Sequence, residues 1–327
     1  MELQPAISSP QIQSDFGSDL SRLSPSSFIE ANTREISLRE LRDDCIIPVF
    51  AKDNESTISH PEFIEVVGEV ASRFYSQEMI LNPRIRVSHP IKGRIPEAKG
   101  KPAHLLTEEE KTIYYERMAF LIEIPSVLEI IEGNIINLSI GGVRAYNHEN
   151  LYNRKSAERF KLFVGFQNRV CTNLLVSTDG CRLDLRLYSV KELAEQTYRL
   201  LEDFRMVETI KTLASFPEHR LSERQFAQLV GRARMYPYLP AEEQKLIPAL
   251  ELQDTQFTQV VRGYYQDPAH GRFSNGDITL WNLYNLFTAA NKSSYVDRFL
   301  ERGRGAFEFV LGLYEAVGEG NKTWYLN

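Results

Sequence analysis

The spacing of apolar positions changes twice along the chain. Phe63, Val66, Val67, Val70 and Phe74 recur every three or four residues, the repeat of one helix face. Ser59 and Glu62 precede them as an S-x-x-E capping box, so the pattern predicts a helix over about 60–76. From Arg84 to Ser189 the segments YYERMAFLIEI, SVLEII, NIINLSIGGVRAY and ERFKLFVGFQNRVCTNLLV are β-branched and aromatic. Pro125, the EGN turn and Gly141-Gly142 interrupt them. In CRLDLRLYS, Leu183, Leu185 and Leu187 alternate with Arg182, Asp184, Arg186 and Tyr188, and Asp179-Gly180 offers a hairpin turn ahead of it. Such alternation leaves one strand face wet, which predicts an antiparallel, half-exposed sheet.

Helical spacing returns after Ser189. Ser189 with Glu192 and Ser222 with Gln225 repeat the capping device, and further helices are expected near 277–290 and 295–317. Pro237, Pro240 and Pro248 mark a linker-like stretch between them. Strands followed by helices, without βαβ alternation, predict an α+β fold. Its parts are a mainly antiparallel sheet over about 84–188 and a helical C-terminal part. Residues 1–30, rich in Ser, Pro and Gln, are expected to form a disordered tail, with order beginning near SFIEANTREISLREL. CIIPVFA reads as a short strand that Pro48 confines to an edge or bulge. An α+β domain over 31–215 and a helical part over 216–327 follow, on one core or two.

Composition narrows the class. With 43% hydrophobic residues in 327, the chain can bury a substantial core. A formal charge of −6, from 38 basic and 44 acidic residues, gives no global attraction to polyanions, so any such contact needs a local patch. The opening MELQPAISSPQIQSD has no basic or apolar run, and no stretch is long enough to span a bilayer, so neither a secretory signal nor membrane contact is expected. Cys45, Cys171 and Cys181 lie beside apolar residues without metal-type spacing. They read as reduced, buried thiols of a cytoplasmic protein.

Catalytic signatures are incomplete. GEGNKT lacks the Gly-Lys pair of a phosphate loop, HPE has no P-C-x-x-C to complete a zinc site, and the six histidines never pair at ligand spacing. No metal and no cofactor is expected.

Local charge says more. Residues 84–104 carry six Lys/Arg against one Glu, and residues 144–169 six against two, interleaved with Tyr146, Tyr152, Phe160, Phe163 and Phe166. Cations for phosphates beside aromatic faces for bases are what single-strand binders need. The nucleic-acid-binding candidates are Arg84, Arg86, Lys92, Arg94, Arg144, Tyr146, Asn147, His148, Arg169 and Asn173. Six phosphate contacts would give log K against log[salt] a slope near −4 on single strands. In IGGVRAYNHENLYN the two glycines permit positive φ or a bulge, beyond which Arg144, Tyr146, Asn147 and His148 are expected to emerge at a sheet end.

DCIIPVFAKDNESTISHPEFIE, IRVSHPIKGRIPEA, YYERMAFLIEIPSV, IGGVRAYNHENLY, FVGFQNRVCTNLLVSTDG and LWNLYNLFTAANKSSYVDRFLER together resemble an uncharacterised bacterial family, a domain of unknown function carried on conjugative elements and phages. GVRAYNHEN, RVCTN and the block from Trp281 to Thr288 are similar, more distantly, to a broad family of phage- and plasmid-borne proteins. The resemblance implies a bacterial cytoplasm and mobile DNA, and no catalytic residue. Three readings stay open. The first is a non-enzymatic accessory protein of a mobile genetic element that binds single-stranded DNA or RNA. The second is a factor that binds a host protein, for example to block a defence. The third is an enzyme with a site around Arg144, His148, Asn173 and Asp179.

Overall fold

The computed structural model describes residues 27–44, 58–98, 100–148 and 157–326. Its strands are β1 (Arg34–Ile36), β2 (Arg84–Val87), β3 (Pro90–Arg94), β4 (Lys111–Tyr115), β5 (Arg117–Ile131), β6 (Asn134–Ala145), β7 (Glu158–Asn168), β8 (Leu174–Leu175), β9 (Cys181–Leu187), β10 (Arg220–Leu221) and β11 (Ile278–Thr279). Seven of them form one antiparallel sheet in the order β1-β2-β5-β6-β7-β8, with β9 also on β7. The pairs β3–β4 and β10–β11 stand apart as two-stranded ribbons. The EGN turn is the hairpin between β5 and β6. Glu132 and Gly133 both take positive φ, 46° and 74°, the primed geometry that matches strand twist. Pro125 interrupts no strand but falls in a register shift between Ile124 and Leu128, where a residue without an N–H costs the ladder nothing.

The helices are α1 (Leu38–Asp44), α2 (His60–Phe74), α3 (Val190–Asp203), α4 (Met206–Ser215), α5 (Glu223–Met235), α6 (Ala241–Gln244), α7 (Asp254–Gln266), α8 (Leu280–Asn291) and α9 (Val296–Gly318). The α+β reading and the antiparallel sheet are therefore correct. Ser59–Glu62 and Ser222–Gln225 form reciprocal capping boxes at α2 and α5. At α3 the Ser189 hydroxyl accepts from the Glu192 N–H, while the Glu192 carboxylate reaches Tyr188 instead. α7 was not legible in advance: it starts on Gln253 and is mostly polar and β-branched.

One expectation is corrected by the packing. The sheet is not half-exposed, because both faces of its centre are covered. Phe120, Ile122, Leu138, Ile140, Leu162 and Val164 join Phe63, Val67 and Leu200 of α2 and α3 on one face. Ala119, Leu121, Val143 and Phe163 meet Phe28, Ile29, Val296, Phe299 and Leu300 on the other. Every residue of β6 from 136 to 145 is buried, so no alternation is left to read. A wet face survives on β9, where Asp184 and Arg186 are exposed. The first-face cluster runs from Ile36 to Tyr325, so the sheet and the C-terminal helices share one core. Of the tail expected over 1–30, residues 27–30 are described, with Phe28 and Ile29 buried; the rest, and the CIIPVFA strand with Cys45, lie outside the described residues.

Gly141 and Gly142 form no hinge. Both lie inside β6 without positive φ, and the Phe163 and Phe63 rings occupy the space a side chain would need. A Cβ on Gly141 would collide with the Phe120 carbonyl and sit 2.7 Å from the Phe163 ring; one on Gly142 would strike the Phe63 ring and come within 2.9 Å of the Lys161 carbonyl. Nor does Asp179-Gly180 close a hairpin between neighbouring strands. β9 returns to β7, whose Val164 N–H donates to the Gly180 carbonyl at 2.8 Å.

Gly142→Ala should lower stability by roughly 1–3 kcal/mol, the usual cost of overpacking, seen as a lower urea midpoint at unchanged slope. Burial pushes the Cys181 thiol up to about 12, so maleimide should label it only after unfolding, whereas half-buried Cys171 should react sooner.

Candidate functional site

Most of the expected basic face is occupied by internal contacts. Arg84 pairs with Glu123 at 2.7 Å, bonds Gln167 and lies 5.9 Å over the Phe28 ring. Arg86 donates to the Thr33 hydroxyl and carbonyl at 3.1 and 2.8 Å. Arg94 donates to the Lys101 carbonyl, and Lys101 itself pairs with Glu110 at 2.6 Å. Of the six cations counted along residues 84–104, Arg84 and Lys101 are thus paired with carboxylates from outside that window, and Arg86 and Arg94 are held by neutral oxygens. Lys92 is exposed on β3, and Arg169 is exposed beyond the end of β7. Asn173 is fully buried and donates to the Asn285 carbonyl of α8 at 3.0 Å. Asp179 accepts from the Ser177 hydroxyl at 2.6 Å and the Arg205 N–H at 2.9 Å. The ten candidates do not converge on one surface.

Arg144 and Tyr146 point inward. The Arg144 guanidinium is 0% exposed and bonds both the Glu158 carboxylate and the Ile58 carbonyl. It lies between the Tyr146 and Phe160 rings, 4.6 Å from each centroid. Tyr146 in turn packs on His60 at 4.7 Å. The His60 Nε2–H donates to the Tyr115 carbonyl at 2.8 Å, which assigns the neutral tautomer. Burial first, and the nearby Arg144 charge second, lower His60 to about 3, against the opposing pull of the Tyr115 carbonyl.

The remainder of the 144–169 segment does reach a surface. On β7, Arg159 and Lys161 flank buried Phe160, so strand alternation sends both to the face opposite α2. They open into a cleft of 290 Å³ whose lining is Val143, Ala145, His148, Arg159, Phe160, Lys161, Leu183, Asp184, Arg298 and Glu301. The cleft lies where the ends of β6 and β7 meet β9 and the first turns of α9. Its polar groups are ordered by pairs. His148 faces the Asp297 carboxylate at 3.2 Å, Lys161 bonds Glu301 and the Asp297 carbonyl, and Arg117 approaches Asp297 at 3.6 Å. Arg298 pairs with Glu251 at 3.1 Å and Arg186 with Asp184 at 3.2 Å, all four half-exposed. Arg159 is exposed and has no carboxylate partner among the described residues. It stands directly across from Arg186 on β9. Like charges so opposed destabilise a strand pair unless an anion or carboxylate lies between them.

Asn147 is exposed beside this cleft's His148. Arg169 is ten residues down β7 from Arg159, about 33 Å at strand rise, so the two ends of the expected segment serve different surfaces. Arg159 and Lys161 were legible from the alternation in ERFKLF. Asp297, Arg298 and Glu301 were not, because only the chain path through α8 and α9 brings them to β7. Among the described residues, no group of three or more His, Cys, Asp or Glu side chains could hold a metal ion.

A family model matches residues 19–326. The chain belongs to the DUF3871 family. The family is described as a domain of unknown function, B. Theta gene description, so membership fixes kinship and not chemistry. No curated protein and no solved structure matches the chain. Of the described helices, none is long and apolar enough to cross a membrane.

His60 gives a pH test of the buried cluster. Its folded value lies below the unfolded 6.5, so its contribution to stability is complete above pH 6.5 and is lost as pH falls from 6.5 toward about 3. The slope should approach 1.4 kcal/mol per pH unit at most. His60→Gln, followed by urea unfolding at several pH values, should flatten that part of the profile.

Proposed function

We propose that the chain is a non-enzymatic nucleic-acid-binding accessory protein of a mobile genetic element, acting in the bacterial cytoplasm. The resemblance of its longer sequence blocks to proteins of conjugative elements and phages supports the setting. One observation supports the binding mode: Arg159, which faces Arg186 across two strands, lines a cleft together with Lys161, Arg298 and His148. Opposed guanidiniums are a ready receptor for a phosphate of single-stranded DNA or RNA. Surface pairs such as Arg298–Glu251 and Arg186–Asp184 contribute only about 0–1 kcal/mol, so a phosphate can compete for both arginines.

A strand laid across Arg159, Arg186 and Arg298 through three phosphates would give log K against log[salt] a slope near −2, and a strand held by one phosphate a slope near −0.7, at about 0.7 per phosphate. Fluorescence anisotropy with labelled single strands measures it, and Arg159→Ala should flatten the slope by roughly 0.7. Binding that is absent at low salt would exclude the reading and leave a host protein as the partner. A second reading, as an enzyme, draws on the His148–Asp297 pair, since a carboxylate that orients an imidazole suits a general base. Loss of strand integrity on prolonged incubation, abolished by His148→Asn, would favour it.

A further inference from the structure

We infer that the cleft is specific for one nucleotide carrying a terminal phosphate monoester, as at the end of a strand, and does not track a continuous backbone. The inference rests on the nucleic-acid reading above and narrows it. Three observations carry it. The first is size: 290 Å³ stands at the lower edge of small-ligand pockets, about 300–1,000 Å³, so it accommodates one nucleotide-sized unit and no run of them.

The second is charge. Arg159 and Arg298 line the cleft, and Arg186 stands across from Arg159 on β9, but Asp184 and Glu301 line the same cleft and Glu251 pairs with Arg298. Lys161 is already bonded to Glu301 and carries no surplus. A strand laid through the cleft would place successive phosphates against these carboxylates. A single monoester, with a charge of about −1.5 to −2, matches the three guanidiniums better than a diester of charge −1. The third is the floor: Val143, Ala145 and Leu183 offer apolar contact to a base or sugar, which an inorganic anion would leave unused. Asp184 and Glu301 can accept from base or ribose donors, which gives the carboxylates a part in recognition.

The test uses the full chain and one short single strand prepared with a 5′-phosphate, with a 3′-phosphate and with hydroxyls at both ends. At least one phosphorylated strand should bind fivefold or more tightly than the hydroxyl strand. A nucleoside monophosphate should compete with it, and inorganic phosphate or a nucleoside should compete more weakly. Lowering pH from 7.5 to 5.5, through the second ionisation of the monoester near 6, should reduce the phosphorylated advantage. Arg159→Ala and Arg186→Ala should each remove that advantage, while Lys191→Ala on exposed α3 should not. An advantage below fivefold for both phosphorylated strands overturns this inference and leaves the general reading intact. No binding of any strand at low salt overturns both.

Discussion

The Arg144–Glu158 pair is the constraint around which the sheet, α2 and the cleft are arranged. Two charges buried to 0% and 2% are tolerable only if each is fully bonded, and the local structure provides for that. Ile58, immediately ahead of the Ser59 cap of α2, donates its N–H to the Glu158 carboxylate and offers its carbonyl to Arg144. The pair therefore ties the start of α2 to β6 and β7 together. Flanking rings add to the enclosure: the Tyr146 and Phe160 centroids each lie 4.6 Å from the guanidinium. Burial, and after it the neighbouring Arg144 charge, keeps His60 neutral beside the pair.

The same arrangement decides which side chains turn outward. On β7, Phe160 turns inward to cover Arg144, so Arg159 and Lys161 must turn outward. Gly142 lets Phe63 of α2 press against β6, which brings α2 close enough for the Ile58 contacts. On the outer face, Val296, Phe299 and Leu300 seat the first turns of α9 on Val143 and Phe163. That packing carries Asp297, Arg298 and Glu301 to the edge of the cleft. A buried cation, Arg144, and two outward-facing ones, Arg159 and Lys161, thus lie within one short stretch of sequence.

What was legible in the sequence was local. Capping boxes, the Glu132-Gly133 turn and the class of fold follow from neighbours a few residues apart, and they appear where the pattern places them. Burial of charge was not legible, because the partners are distant: Glu158 for Arg144 is fourteen residues on, and Asn285 for Asn173 is 112 residues away. Charge counted along residues 84–104 misled for the same reason, since Glu123 and Glu110 pair with Arg84 and Lys101 from outside the window. Gly141-Gly142 read as a site of positive φ or a bulge because a glycine that admits a ring looks, in sequence, like one that admits a positive φ. The cleft was half legible, through Arg159 and Lys161 on β7, and its α9 side was invisible.

The account stands most directly on the claim that Arg144 is a buried structural charge and not a ligand contact. Urea unfolding of Arg144→Met, Glu158→Gln and the double variant tests it. Each single change leaves one buried charge without its counter-ion, so each should cost about 3–5 kcal/mol, and the double variant should lose clearly less than the sum. Near-wild-type stability for Arg144→Met, or two small losses that simply add, would contradict the claim and return Arg144 to the surface.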